Sequence, residues 1–239
     1  MNSSIATMNF MSLACELRSQ HLGLLGKDAS PTRQQRHDLI QACISQKLPL
    51  IYMARCVEKG PKGDKDKNWR GRALEVYLGG KNSAAAEQDF SDGELKSTRV
   101  VRTGGKWRIE QTLRITSLAH EDASHSKFFT ETPLYRKISR FTCVLINSIR
   151  EDIESGTIVG CLEFDIQQHP SWLDEIREDY DFYLKQIMSS RRVSSRIKSP
   201  KGFLGCRQTA GKAGVVSKTA LYITKARFDL MLDEFGING

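Results

Sequence analysis

Apolar positions recur along the chain at two different spacings, and each spacing predicts a type of secondary structure. The clearest helical spacing follows Ser30-Pro31, a pair typical of a helix start, and continues to about Lys47. The same spacing predicts further helices at Leu50–Val57, Trp69–Leu78, Pro170–Met188 and Lys225–Phe235. Alternating or short apolar runs predict strands at Glu94–Arg102, Lys106–Leu118, Phe141–Asn147, Thr157–Ile166, Phe203–Cys206 and Ala220–Ile223. The segment Met1–Lys27 shows little pattern and predicts no element.

The order of these elements predicts the fold class. Helices come first, then a strand meander, then a helix and mixed elements, which favours an α/β (α+β) fold with one central mixed sheet flanked by helices. The chain has 239 residues and is 39% hydrophobic, which suffices for a substantial core. Because no internal repeat or long linker interrupts it, we expect residues 1–239 to form a single structural unit.

Apolar runs and cysteine spacing exclude several classes of protein. No apolar run approaches the roughly 18 residues that a membrane-spanning helix needs, and the N-terminus lacks the features of a secretory signal. The six cysteines are scattered without Cys-x-x-Cys spacing, and neither His120 nor His125 has a cysteine pair nearby. We therefore expect no zinc site and no membrane partner, but reduced thiols in a cytoplasmic protein.

The charge is distributed very unevenly around a net value of +8. Glu151–Asp181 contains ten acids and one base, whereas Lys185–Arg227 contains eleven bases and no acid. A solvated basic face is one interpretation, but the glycines among these bases favour nucleic acid, since they let backbone N–H groups approach phosphates. The candidate DNA contacts here include Arg191, Arg192 and Lys212. We expect the acidic stretch to be a solvent-facing helix that points away from the ligand.

The candidate chemistry lies in Gly71–Ser97. Glu94 and Lys96 share one face of a predicted strand, and Asp89 can reach that face through the turn before it. Two carboxylates and a lysine suit metal-dependent phosphodiester hydrolysis, with Mg²⁺ bound by Asp89, Glu94 and the Leu95 carbonyl. Lys96 would hold or deprotonate the attacking water or stabilise the transition state, and Glu75 is a further candidate carboxylate. The alternative is an ordinary solvated strand face.

At these residues the sequence resembles MutH and its relatives among the type II restriction endonucleases, in the PD-(D/E)xK nuclease superfamily. The shared pattern is a helix with LE-x-x-LG, a short loop and then QDF-x-x-GELK. The resemblance is specific in Gly71–Thr98 and weaker through the remainder. It implies a PD-(D/E)xK fold in which two lobes form a DNA cleft, a catalytic lobe at about 32–149 and a DNA-recognition lobe at about 150–239.

The resemblance also implies roles for individual residues. It places the active site on Glu75, Asp89, Glu94, Lys96 and, within Tyr135–Arg140, Lys137. It further implies that Arg207 contacts bases and that Tyr222 contacts DNA. Four residues separate Asp89 from Glu94, where the family usually has six, so Asp92 is an alternative to Asp89.

These observations predict a Mg²⁺-dependent, sequence-specific endonuclease for double-stranded DNA. The shortened loop and the lack of a longer C-terminal tail favour a type II restriction enzyme, working beside a cognate DNA methyltransferase as a monomer or homodimer. The alternatives are a methyl-directed nicking enzyme of mismatch repair, a non-catalytic DNA-binding module, and a nuclease for RNA or modified DNA.

Overall fold

The computed structural model describes residues 2–23, 30–60, 69–80, 89–118, 128–147, 156–190, 193–208 and 218–238. The helices of this part of the chain are α1 (Asn2–Leu22), α2 (Arg33–Ser45), α3 (Leu50–Cys56), α4 (Trp69–Tyr77), α5 (Pro133–Ile138), α6 (Pro170–Ser190) and α7 (Lys225–Glu234). The strands are β1 (Glu94–Thr103), β2 (Lys106–Ile109), β3 (Leu113–Leu118), β4 (Arg140–Asn147), β5 (Thr157–Asp165), β6 (Leu204–Gln208) and β7 (Thr219–Ile223). The fold is of the α/β class, with helices flanking a mixed sheet.

The chain divides into two compact units, and each unit contains two segments of the sequence. Unit 1 comprises Met1–Lys106 with Thr142–Glu163, and unit 2 comprises Trp107–Phe141 with Phe164–Gly239. The lobes expected at about 32–149 and 150–239, in contrast, follow the chain in order. None of the described helices is long and apolar enough to cross a membrane.

Unit 1 is organised around β1, β4 and β5. They lie in a four-stranded sheet of order β2-β1-β4-β5, in which β2 is the return strand of a hairpin turned at Gly104-Gly105. The core of this unit includes Leu39, Ile40, Trp69, Tyr77 and Val144, all at most 1% exposed. Helices α1 to α4 contribute most of that core, as the helical spacing after Ser30-Pro31 predicts for α2.

Helix α2 begins two residues later than the Ser30-Pro31 pair suggests. The N-cap is Thr32, whose side chain accepts a hydrogen bond from the Gln35 backbone N–H, while the Gln35 side chain accepts one from the Thr32 backbone N–H. This reciprocal pair is a capping box, which satisfies two N–H groups that a helix start leaves exposed. Ser30 is therefore not the cap.

Helix α1 was not predicted, and its stability comes from tertiary contacts. Its apolar residues do not form a clear stripe, although Ala14 and Leu17 are buried. The Ala14 carbonyl accepts a hydrogen bond from the Tyr77 hydroxyl at 2.7 Å, and Arg18 donates to the Tyr77 carbonyl at 3.1 Å. Since most helices in proteins depend on packing more than on propensity, a helix without a stripe escapes sequence analysis.

Unit 2 contains a three-stranded antiparallel sheet of order β3-β7-β6. The prediction of one strand over Lys106–Leu118 was therefore wrong, because this segment contributes β2 to one sheet and β3 to another. One central sheet was likewise expected, and the described residues form two. Helix α5 was also missed; it starts with Pro133 at its first position and is capped by Thr132.

The acidic helix α6 buries the face that its spacing predicts, and it also buries an acid. Trp172, Ile176, Tyr183 and Ile187 are at most 8% exposed, as expected. Asp179, however, is fully buried and accepts hydrogen bonds at 2.8–2.9 Å from the backbone N–H groups of Lys201, Phe203 and Leu204. The expectation that the acidic stretch Glu151–Asp181 is a solvent-facing helix was wrong, because Thr157–Asp165 forms β5 and the buried Asp179 carboxylate organises the chain that enters β6.

Candidate active site

A tight turn brings the two candidate carboxylates to the start of β1. Phe90 and Gly93 exchange backbone hydrogen bonds at 3.1 and 3.3 Å, so the chain reverses between Asp89 and Glu94. The Leu95 backbone N–H then donates to Asp89 Oδ2 at 2.9 Å. The four-residue separation is thus long enough to hold Asp89 beside the first residues of the strand.

A buried arginine from α2 holds this turn in place. Arg36 is 3% exposed; its guanidinium donates to Asp92 Oδ1 at 2.6 Å and to the Pro31 carbonyl at 2.6 Å. The same group lies over the Phe90 ring, 4.0 Å from the centroid. Since Asp92 is engaged by Arg36, the carboxylate that faces the candidate site from this turn is Asp89.

The candidate residues meet at a pocket of about 180 Å³ in unit 1. Its lining includes Glu75 from α4, Asp89 from the turn and Lys96 from β1. The remaining lining residues are Gly71, Leu74, Leu95 and Ser97. The structure therefore brings together the side chains of Glu75, Asp89 and Lys96, which come from three separate elements. Glu75 and Lys96, the two that are farthest apart in the sequence, are separated by 21 positions.

The Glu75 side chain packs against Gly80, the third residue after the end of α4. Helix α4 ends at Tyr77 and is followed by Gly79-Gly80, as predicted. The Gly80 backbone N–H donates to the Glu75 carbonyl at 2.7 Å, and a Cβ at Gly80 would lie 2.7 Å from Glu75 Cγ. A larger residue at position 80 would therefore displace the Glu75 side chain.

Glu94 and Lys96 lie on the same side of β1 and contact each other directly. The Lys96 ammonium group donates to Glu94 Oε1; the Glu94 side chain is only 1% exposed, whereas Lys96 is 18% exposed. Glu94 is thus the buried member of the pair and Lys96 is the member that lines the pocket. Glu75 and Asp89 line the same pocket as Lys96, and carboxylate oxygens are the hard ligands that a divalent cation such as Mg²⁺ prefers.

The described residues among the remaining predictions, Lys137, Arg207 and Tyr222, are not part of the lining of this pocket. Lys137 lies half-buried in α5, which belongs to unit 2. Arg207 is exposed on β6 of the same unit. Arg191, Arg192 and Lys212 lie outside the described residues.

Tyr222 lies on β7, and both its hydroxyl and its ring are engaged within the sheet. The hydroxyl donates to the Cys206 carbonyl at 3.1 Å. A Cβ at Gly205, opposite Tyr222 in the ladder, would lie 2.3 Å from Tyr222 Cε2, so the ring covers that glycine. Burial, with a smaller contribution from Cys206, raises the pKa of Tyr222.

Two of the bases in Lys185–Arg227 contact acids of α6. Lys201 pairs with Glu178 at 3.2 Å, and Arg227 pairs with Glu175 while its guanidinium lies 4.9 Å from the Phe203 ring centroid. Other bases of the segment, among them Lys218 and Lys225, are exposed. The acidic and basic segments therefore compensate each other in part, which the separate counts along the sequence do not reveal.

Arg36 is the site residue that sequence analysis missed. A signal was available, because Arg36 precedes Leu39, Ile40 and Cys43 by three, four and seven positions, which places it on the apolar face of α2. A charged residue on such a face needs a partner. Its partner Asp92 is 56 positions away, and only the fold identifies it.

The sequence has no match among protein-family models or curated proteins. The resemblance to MutH thus rests on the motifs in Gly71–Thr98.

Proposed function

We propose that the protein is a Mg²⁺-dependent, sequence-specific endonuclease that hydrolyses phosphodiester bonds in double-stranded DNA, as type II restriction enzymes do. The observation that carries this proposal is the pocket in which Glu75, Asp89 and Lys96 converge while the buried Glu94 contacts Lys96. Carboxylates and a lysine at one small pocket supply both the metal ligands and the cationic group that this reaction needs.

The donor set fits Mg²⁺. This ion prefers hard oxygen ligands and is usually held by one or two carboxylates with several waters retained. Asp89 and Glu94 would hold it, with the Leu95 carbonyl as a further ligand and Glu75 as an additional carboxylate. When bound, Mg²⁺ lowers the pKa of a water molecule and stabilises charge that develops on the phosphate.

The chain's own residues prepare this site in three ways. The Leu95 N–H fixes the orientation of Asp89 through the 2.9 Å hydrogen bond to Oδ2. The buried position of Glu94 keeps its carboxylate where water competes little. Lys96 is the pocket-lining partner of Glu94, and its ammonium group would hold the attacking water or stabilise the negative charge of the transition state.

Binding of the DNA backbone would fall to the exposed bases of unit 2. Arg207 stands beside Gln208 at the end of β6, and Lys218 precedes β7, so both lie at the same end of this antiparallel pair. Arginine is the residue best suited to a bidentate contact with guanine, which discriminates by about 1–3 kcal/mol. We therefore assign base reading to Arg207 and backbone contact to the neighbouring lysines.

A test of base reading compares Arg207→Ala with Lys218→Ala on a cognate duplex and on duplexes with one base pair changed. The Arg207 variant should lose affinity mainly for the cognate duplex, because a base contact discriminates and a phosphate contact does not. The Lys218 variant should weaken binding to all duplexes alike. Uniform weakening by both variants would make Arg207 a phosphate contact.

The decisive test of catalysis is digestion of a supercoiled plasmid by the purified protein with Mg²⁺ and no other protein. Double-strand cuts at fixed positions are expected. Glu94→Gln should abolish cleavage because it removes a ligand charge without changing shape, and Lys96→Ala should lower the rate by about 10²-fold or more. Lys106→Ala, an exposed lysine on the same hairpin, is the matched control and should cleave like the wild type.

The outcomes of this digest separate the alternatives. Nicks without double-strand cuts would favour a nicking enzyme of mismatch repair. DNA binding without cleavage would favour a non-catalytic binding module, and cleavage of RNA alone would change the substrate class. Equal cleavage by the wild type and Glu94→Gln would refute the assignment of the pocket as the active site.

A further inference from the structure

A second group of side chains of types that can bind metals lies on unit 1, where α2 contacts β5. His37 comes from α2, and Cys161 and Glu163 are alternate residues of β5 whose side chains share one face of the strand. His37 Nδ1 lies 3.2 Å from Glu163 Oε1, and one ligand atom from each of the three residues lies within 4.8 Å of the others. None of these residues lines the pocket of the candidate active site.

We propose that His37, Cys161 and Glu163 form a binding site for one Zn²⁺ ion, with its fourth position taken by water. Thiolate, imidazole and carboxylate are the three side-chain ligand types that zinc uses, and three protein ligands with one open position form a recognised class of zinc site. The site is independent of the nuclease proposal, because it shares no residue with the Mg²⁺ ligands.

The separation of the ligand atoms agrees with tetrahedral zinc. Zinc binds nitrogen and oxygen at about 2.0–2.2 Å and sulfur at about 2.3 Å, which places neighbouring ligand atoms about 3.2–3.8 Å apart. The His37–Glu163 pair already meets this range at 3.2 Å. Cys161 Sγ, within 4.8 Å of both, needs only a small side-chain adjustment to complete the set. The His37 and Glu163 side chains are 34% and 28% exposed, so an ion can enter from solvent.

Two further residues of α2 orient the ligands. Arg33 Nε contacts Glu163 Oε2 at 2.7 Å, which turns the other carboxylate oxygen towards His37. The Gln41 amide nitrogen Nε2 lies 3.4 Å from His37 Nε2; with the amide turned over, its oxygen would accept the Nε2–H while Nδ1 binds the ion. Arg33, His37 and Gln41 recur every four residues, on one face of the helix. Outer contacts of this kind usually support metal ligands and fix the histidine tautomer.

The sulfur ligand determines which metal the site takes. Sulfur is a soft ligand that Mg²⁺ avoids and zinc accepts, so the site should discriminate between the two ions. A cysteine thiol without a metal carries its proton at neutral pH. Zinc binding would therefore form a sulfur–zinc bond and release the thiol proton to solvent.

The proposal is tested with the full-length, metal-free protein titrated with Zn²⁺ and, separately, with Co²⁺ as a spectroscopic substitute. We expect one ion per chain, a thiolate-to-cobalt charge-transfer band, and a rise in the thermal midpoint of about 5 °C or more at a hundredfold excess over Kd. Cys161→Ser should remove the band and His37→Gln should remove the midpoint shift. Gln41→Ala should weaken binding by about 10–100-fold.

Three controls exclude other binding sites. Cys15→Ser tests a close thiol pair, since Cys15 Sγ lies 2.7 Å from Cys56 Sγ. Cys206→Ser tests a thiol of unit 2, and Glu94→Gln tests the candidate active site. All three should bind one ion with the band intact. No binding by the wild type, or a band that survives Cys161→Ser but is lost in Cys15→Ser, would overturn the proposal.

Discussion

Asp92→Ala tests whether Asp92 anchors the site or binds its metal. In the structure Asp92 neutralises Arg36, which is 3% exposed, and removing it leaves a buried guanidinium with the Pro31 carbonyl and the Phe90 ring. Breaking a buried ion pair from one side costs about 3–5 kcal/mol. Because the Asp92 side chain is 31% exposed, water can reach Arg36 through the space that the substitution opens. We therefore expect the free energy of unfolding to fall by about 3 kcal/mol, the lower end of this range.

The assay is thermal or urea unfolding of the variant beside the wild type. A loss of about 3 kcal/mol lowers the midpoint by roughly 6–12 °C for a chain of this size. Asp38→Ala, an exposed acid of α2, is the control and should change stability by less than about 0.5 kcal/mol. Replacing both partners, as in Arg36→Met with Asp92→Ala, should recover much of the loss, because no buried charge remains.

The activity of the same variant decides between the two roles. If Asp92 is an anchor, cleavage should fall in proportion to the loosening of the turn and be regained in part in the double variant. A variant as stable as the wild type with cleavage abolished would refute this reasoning. It would instead make Asp92 the metal ligand in place of Asp89.

Four further results are expected from the structure. Asp179→Ala should destabilise unit 2 by about 3 kcal/mol or more in urea unfolding, because it leaves two buried backbone N–H groups without an acceptor, at about 1–3 kcal/mol each. A change in stability below about 0.5 kcal/mol would contradict this. Gly205→Ala should lower the free energy of unfolding by about 1–3 kcal/mol, because the new Cβ would overlap the Tyr222 ring. In a Tyr222→Ala background the same substitution should change the free energy of unfolding little. Oxidation by diamide should join Cys15 to Cys56 in a disulfide, which mass spectrometry detects as a loss of two mass units. The reaction should be faster at high pH, because burial and Cys15 raise the pKa of Cys56. An unchanged mass would show that these thiols cannot react. Affinity for duplex DNA should fall with salt at a log–log slope of about −0.9 per neutralised phosphate, and a flat response would exclude backbone contact by the basic segment.

Local patterns in the sequence determined much of the secondary structure. The helical spacing in α2, α3, α6 and α7, the alternation in β1 and β5 and the short apolar run in β4 predicted elements within a few residues of their positions, since each pattern follows from regular burial. The same local rules placed Glu94 and Lys96 on one side of a strand and ended α4 at Gly79-Gly80. These features depend on neighbours in the sequence, which is why the sequence alone predicts them.

Only the tertiary structure decided which distant residues meet. It placed Asp89 in the lining of the pocket and paired Asp92 with Arg36, assigned the halves of Lys106–Leu118 to two sheets, and buried Asp179 against the chain entering β6. It also placed His37 against Glu163, 126 positions along the chain. A charge or a ligand is satisfied by whichever group lies within a few ångströms, and because that group can come from anywhere in the sequence, only packing identifies it.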